Sequence, residues 1–190
     1  MRVDVPRSIV SGAFAKVADS PAFAESAALV RSGGSPVEML QAMALRPEIL
    51  LAFAATSEAI YPGGIVERRV KELVILEASR RNACQFCTQS HISIAESMGI
   101  GVASDGGGGL DPLALLDRPA EMTARERLAV GYTRAAQADS NRIPDALFAQ
   151  LRTVYTDAEI VELTAMIGLI SMLNMFNNCL RITYRGEYDA

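Results

Sequence analysis

The chain has 190 residues, half of them hydrophobic and 21% charged, a profile that fits one globular core. A formal net charge of −4 excludes the basic face that nucleic-acid binding requires. With three cysteines, one histidine and no tryptophan, thiol or imidazole chemistry has few residues to draw on.

Taken in chain order, the elements read as helix after helix. The opening Met1-Arg2-Val3-Asp4-Val5-Pro6 lacks an apolar stretch, so no signal peptide is expected and a cytoplasmic location is. Ser8 to Val17 is weakly amphipathic. Pro21 suits the first turn of a helix ending near Arg31, before Gly33-Gly34. Ser35, Pro36 and Glu38 have the spacing of a capping box for the next helix. Pro47 opens a helix to about Ile60, stopped by Tyr61-Pro62-Gly63-Gly64. Ile65 to Arg81 carries the stripe Val66, Val70, Leu73 and Val74 at helical spacing. Asn82, with Gln85 three residues on, predicts the N-cap of a helix from Ala83 to Met98, with Gly99 as its left-handed end.

Gly101 to Gly109, with four consecutive glycines, lacks the lysine and hydroxyl residue of a phosphate loop and is expected to be a mobile connector. Thr123 with Glu126, and Thr156 with Glu159, predict two further capping boxes, for helices over Thr123–Asp139 and Asp157 to about Tyr184. Another helix is expected over Pro144–Tyr155. The apolar run Leu163 to Phe176 is shorter than the ~18 residues a membrane span needs, so it predicts a core helix and no membrane partner. The expected architecture is one all-α domain over 1–190, with N-terminal helices to 100, a connector over 101–110 and C-terminal helices from 111. No strand is expected.

Two of the three cysteines and the only histidine fall within eight residues, Cys84-Gln85-Phe86-Cys87-Thr88-Gln89-Ser90-His91. In a reducing compartment a Cys-x-x-Cys pair points to redox or metal chemistry rather than a structural staple. On a helix, Cys84, Cys87 and His91 share one face. Unpaired amides and the positive end of the helix favour a thiolate at Cys84, while His91, one turn past Cys87, favours deprotonation there, directly or through a water. A cysteine oxidised to sulfenic acid needs a resolving thiol nearby, which the partner supplies. The competing reading is a zinc-stabilised scaffold, with Cys84, Cys87, His91 and Cys179 as ligands; another is a redox-sensing oligomer without turnover. Glu67, Glu72 and Glu77 on the preceding helix are candidate acids for a proton relay. Asn174, Asn177 and Asn178 need hydrogen-bond partners if buried; bordering the active site is one reading, and a structural role is the favoured one.

The stretch Glu67-Arg68-Arg69-Val70-Lys71-Glu72-Leu73-Val74-Ile75-Leu76, followed by Cys84-Gln85-Phe86-Cys87 and His91, resembles the carboxymuconolactone decarboxylase superfamily, and within it the alkylhydroperoxidase AhpD-like branch. The resemblance covers about Ile65 to Gly99. It implies an all-helical fold and a homo-oligomer, commonly a trimer or hexamer. It also implies a thiol peroxidase without cofactor or metal, in which Cys87 attacks a hydroperoxide, Cys84 resolves, His91 is the base and Glu72 tunes the relay. An external dithiol, of thioredoxin or lipoyl type, is the implied reductant. A lactone decarboxylase is the alternative enzyme, less favoured because lactone chemistry has no need of the dithiol. Phe86 departs from the best-known pattern, which has a second histidine there, so no relay through two imidazoles is available.

Overall fold

A computed structural model describes residues 1–104 and 109–186. Ten helices run in order: α1 (Arg7–Lys16), α2 (Ala24–Arg31), α3 (Glu38–Ala44), α4 (Pro47–Ile60), α5 (Arg68–Arg81), α6 (Gln85–Ser97), α7 (Pro112–Leu116), α8 (Ala124–Asp139), α9 (Asp145–Leu151) and α10 (Asp157–Leu180). The expected absence of strands is corrected by a small antiparallel ladder. Its strands, β1 (Val102–Ala103) and β2 (Leu110–Asp111), flank the glycine-rich segment. The expected mobile connector falls largely on 105–108, outside the described residues.

Helix α5 is the hub, packing against α6, α7, α8 and α10. The sequence gives it one apolar stripe, yet every residue from Val70 to Ser79 is buried. Three of these carry charge, and each has found partners, as burial of charge demands. Lys71 pairs with Glu162 at 2.5 Å. Glu72 pairs with Arg68 and His91. Glu77 is held by Arg80, Arg81 and Arg134. Helical periodicity could not show this, because partners on α6, α8 and α10 decide which polar residues can be buried.

The capping boxes at Thr123 and Thr156 form, each hydroxyl accepting the amide three residues on and each glutamate accepting in return. Gly99 ends α6 in the left-handed region, with φ of 69°. The expected cap at Ser35 does not form. Helix α3 starts at Glu38 after Val37, and the Glu38 carboxylate turns instead to the Thr183 amide and the Arg185 guanidinium, a partner far along the chain. Helix α10 is longer than its apolar core. It is long and apolar enough to cross a membrane, with a mean hydropathy of 1.5 over an 18-residue window, of which 44% is buried inside the protein. Ile160, Leu163, Met166, Ile167, Ile170 and Leu173 face the core.

Candidate active site

The turn between α5 and α6 sets the cysteines. The Cys84 amide donates to the Ser79 carbonyl and the Ala83 amide to that of Arg80, the paired bonds of a Schellman ending. The left-handed position this requires is filled by Ala83, at φ 49°. The chain then leaves Cys84 extended, and its sulfur, not the side chain of Asn82, caps α6 by accepting the Cys87 amide at 3.4 Å. Asn82 is the last cap of α5, and its side-chain amide bonds the Asn174 carbonyl oxygen.

Both sulfurs are buried and lie 2.8 Å apart. The hydrogen bond the two sulfurs share, with burial, pushes Cys87 above the ordinary thiol range. The same hydrogen bond, aided by the Cys87 amide against the cost of burial, pulls Cys84 down to about 7. The reduced pair therefore favours Cys84 as its more acidic thiol. Cys87, by contrast, lines the main cavity, of about 630 Å³, and Cys84 does not. The cavity wall is largely apolar, with Phe23, Phe53, Leu40 and Met166 among its residues, and His91, Tyr61 and Arg68 in the same wall.

Glu72 points inward to His91, its Oε2 2.7 Å from Nδ1. Its other oxygen accepts from the Tyr61 hydroxyl and Arg68 Nε, each at 2.6 Å. Burial alone would raise this carboxyl, but the hydrogen bond and charge of His91, with those from Tyr61 and Arg68, hold it below the usual carboxylate range. Tyr61 is pushed up, first by burial and then by the Glu72 charge. Arg68 lies 4.2 Å over the Tyr61 ring, and the Tyr61 and His91 rings meet edge-on with centroids 5.5 Å apart.

The turn carrying Tyr61 is stitched down by the buried Lys71–Glu162 pair. Lys71 donates to the carbonyls of Ile60 and Gly63, and Glu162 accepts the amides of Ile65 and Val66. Gly64 has φ of 91°, a conformation that L side chains rarely adopt, and a Cβ there would also displace the ends of Glu162 and Lys71.

The structure thus brings Glu72 to His91 and Cys84 to Cys87, and puts Cys87 and His91 in one cavity. Among the described residues no hydrogen bond joins His91 to either cysteine, so a proton would pass between them through water or substrate. Cys179 is exposed and takes no part, and among the described residues no three side chains gather as a metal-ligand set. Glu67 pairs with Arg125 and Glu77 with its arginines, both away from the dithiol. Two site residues escape the sequence reading, and a third enters it with a structural role favoured. Tyr61 reads there only as part of a helix stop. Arg68 stands four residues before Glu72, a spacing that was available as a signal. Asn177, expected to be structural, donates to Cys87 Sγ at 3.2 Å.

Comparison with known proteins places these residues in a family. Residues 47–102 match the carboxymuconolactone decarboxylase family, a stretch that holds Glu72, Cys84, Cys87 and His91. The uncharacterised protein YnjA of Escherichia coli is 30% identical over 120 residues, and the match spans 62% of each chain. A solved protein of unknown function from Agrobacterium tumefaciens, assigned to antioxidant defence as an AhpD, is 27% identical with a TM-score of 0.64, over 76% of this chain and 95% of the other. An uncharacterised peroxidase-related protein from Silicibacter shares the fold at 20% identity, with a TM-score of 0.72 over 98% of this chain and 93% of the other. Residues 47–102 thus carry the match to the carboxymuconolactone decarboxylase family, and the chain shares its fold with solved AhpD-like and peroxidase-related proteins.

Proposed function

We propose that this protein is a thiol-dependent peroxidase that reduces organic hydroperoxides to alcohols. The observation that carries the reading is the placement of Cys87 in the wall of a cavity it shares with the Glu72-anchored His91, with a second thiol 2.8 Å behind it. The Cys87 sulfur attacks the terminal oxygen of the hydroperoxide as its proton passes to the Cys84 thiolate. An S–O bond forms, the O–O bond breaks, and the alkoxide leaves with a proton held at His91. His91 then takes the Cys84 proton through water. The Cys84 thiolate displaces hydroxide from the Cys87 sulfenic acid, and that hydroxide leaves as water with the His91 proton. The resulting disulfide is reduced by an external dithiol of thioredoxin or lipoyl type. Glu72 holds His91 by Nδ1, which leaves Nε2 for the proton transfers.

Such chemistry belongs in a reducing compartment, and the cytoplasm is the proposed location. A homo-oligomer, trimer or hexamer, is the proposed assembly. The outer face of α10 offers a helix-sized contact for a second copy, because Val161, Ala165, Gly168, Met172 and Met175 stand exposed at alternating spacings of four and three.

The test is a count of free thiols before and after one equivalent of cumene hydroperoxide, followed by turnover with an added dithiol. Two thiols per chain should disappear and return with the dithiol. Cys87→Ser should abolish turnover, and Cys84→Ser should leave a sulfenic acid that dimedone traps. Undiminished turnover in Cys87→Ser would overturn the reading.

A further inference from the structure

Asn177 sits on the inner face of α10, 1% exposed, against the dithiol. Its Nδ2 donates to Cys87 Sγ at 3.2 Å and approaches Met39 Sδ at 3.5 Å. Its Oδ1 is buried and has no hydrogen-bond partner among the described residues. Buried amide oxygens are nearly always paired, because desolvation without a bond costs free energy. The residue lines the main cavity alongside Cys87 and His91. An orphaned acceptor beside a nucleophilic sulfur is a site for a hydrogen donor.

We propose that Asn177 is a catalytic residue that selects electrophiles bearing a hydrogen on the attacked atom. This rests on the peroxidase reading and narrows it. In R–O–OH the attacked oxygen carries the hydrogen, so one side chain addresses both atoms of the new bond. The amide N–H holds the sulfur, and Oδ1 accepts from the O–H. As the S–O bond forms, the O–O bond breaks and RO⁻ leaves to take the His91 proton. The same hydrogen stays on the transferred oxygen, now Cys87–S–O–H, and still donates to Oδ1. When Cys84 closes the disulfide, that hydroxyl departs as water and the orphan returns. A dialkyl peroxide or an organic disulfide supplies no such hydrogen. A site built to bond a substrate hydroxyl discriminates strongly against analogues that lack it, because its polar group is left unpaired.

The experiment compares single-turnover thiol loss with cumene hydroperoxide and with the aromatic disulfide DTNB, in wild type, Asn177→Leu and Asn177→Asp. Asn177→Leu removes both amide groups. The hydroperoxide rate should fall about 10²-fold, the usual loss for one directed hydrogen bond in a transition state, with the DTNB rate falling at least tenfold less. Asn177→Asp keeps the acceptor but sets a carboxylate against the sulfur, so both rates should fall together and their ratio should stay near that of wild type. An unchanged ratio in folded Asn177→Leu overturns the proposal. Should Asn177→Leu fail to fold by circular dichroism, Asn177→Ala takes its place, with the same selective fall in the hydroperoxide rate expected and an unchanged ratio again overturning the proposal; a collapse of the ratio to the DTNB side in Asn177→Asp refutes it in either case. A wild-type protein whose thiols react with DTNB but not with hydroperoxide would instead defeat the peroxidase reading itself.

Discussion

Replacing Glu72 by glutamine tests the centre of the proposed relay with a change of only one atom and one charge. The carboxylate accepts three hydrogen bonds, two on Oε1 from Tyr61 and Arg68 and one on Oε2 with His91. Glutamine keeps one acceptor for Tyr61 and Arg68. It presents an amide N–H where His91 Nδ1 needs an acceptor, so the imidazole must take the opposite tautomer, with its proton on Nε2. Without a proton kept on Nδ1, Nε2 can neither give its proton to the alkoxide nor take the next one from Cys84. A correctly poised acid–base group is worth ~10²–10⁴-fold in rate, so a loss of about 10³-fold in hydroperoxide kcat/KM is expected. The fold should weaken too. Breaking a buried pair costs ~3–5 kcal/mol, but the partly exposed Arg68 can recruit water, which brings the figure to about 2–3 kcal/mol. Urea unfolding at pH 7 and peroxide-dependent oxidation of an added dithiol measure the two effects. Turnover within threefold of wild type, in a variant with normal thiol content, would refute the role given to Glu72.

Three further outcomes follow from the same geometry. The Glu77 carboxyl lies below its ordinary value because hydrogen bonds from Arg134 and Arg81 and the charge of Arg80 outweigh the effect of burial. Its stabilisation is therefore present above the unfolded carboxylate pKa of ~4.3 and is lost as pH falls through the lower folded value. Glu77→Gln should cost about 3 kcal/mol at pH 7, as for a broken buried pair, and the gap to wild type should narrow below that range in urea titrations. Because the thiol of Cys87 is the main cause of the acidity of Cys84, Cys87→Ala should move the pH midpoint of Cys84 alkylation well above about 7; an unmoved midpoint would put that acidity elsewhere. Ala83→Gly should raise stability by ~0.5–1 kcal/mol, since glycine relieves the left-handed cost but adds unfolded-state entropy. A fall in melting temperature would show that the Ala83 methyl group packs usefully.

What could be read in advance had local causes. The two threonine capping boxes, the proline start of α4 and the glycine end of α6 depend on a few neighbouring residues. The inward turn of Glu72 was an open choice in the sequence, because a mixed helix face does not say what packs on it. The misassigned caps at Ser35 and Asn82 fail for the same reason. Glu38 is drawn to the chain after α10, and the Schellman ending of α5 hands the capping role to Cys84. Tyr61 and Asn177 reach the site from α4's end and from α10, 23 residues before Cys84 and 90 residues after Cys87, and no spacing rule links such positions. Lys71, Glu72 and Glu77 look like the solvated face of α5 until the ring of cations and anions around them is seen.

The sulfur of Cys84 does two jobs that exclude one another. As a thiolate it accepts the Cys87 amide and secures the first turn of α6. In a disulfide it becomes a poor acceptor, and the Cys87 amide loses the sulfur that caps it. In the proposed cycle oxidation would remove this cap and reduction would restore it, while the Thr88 amide keeps its bond to the Cys84 carbonyl at 2.9 Å, so the redox state is written in one backbone amide as well as in the sulfurs.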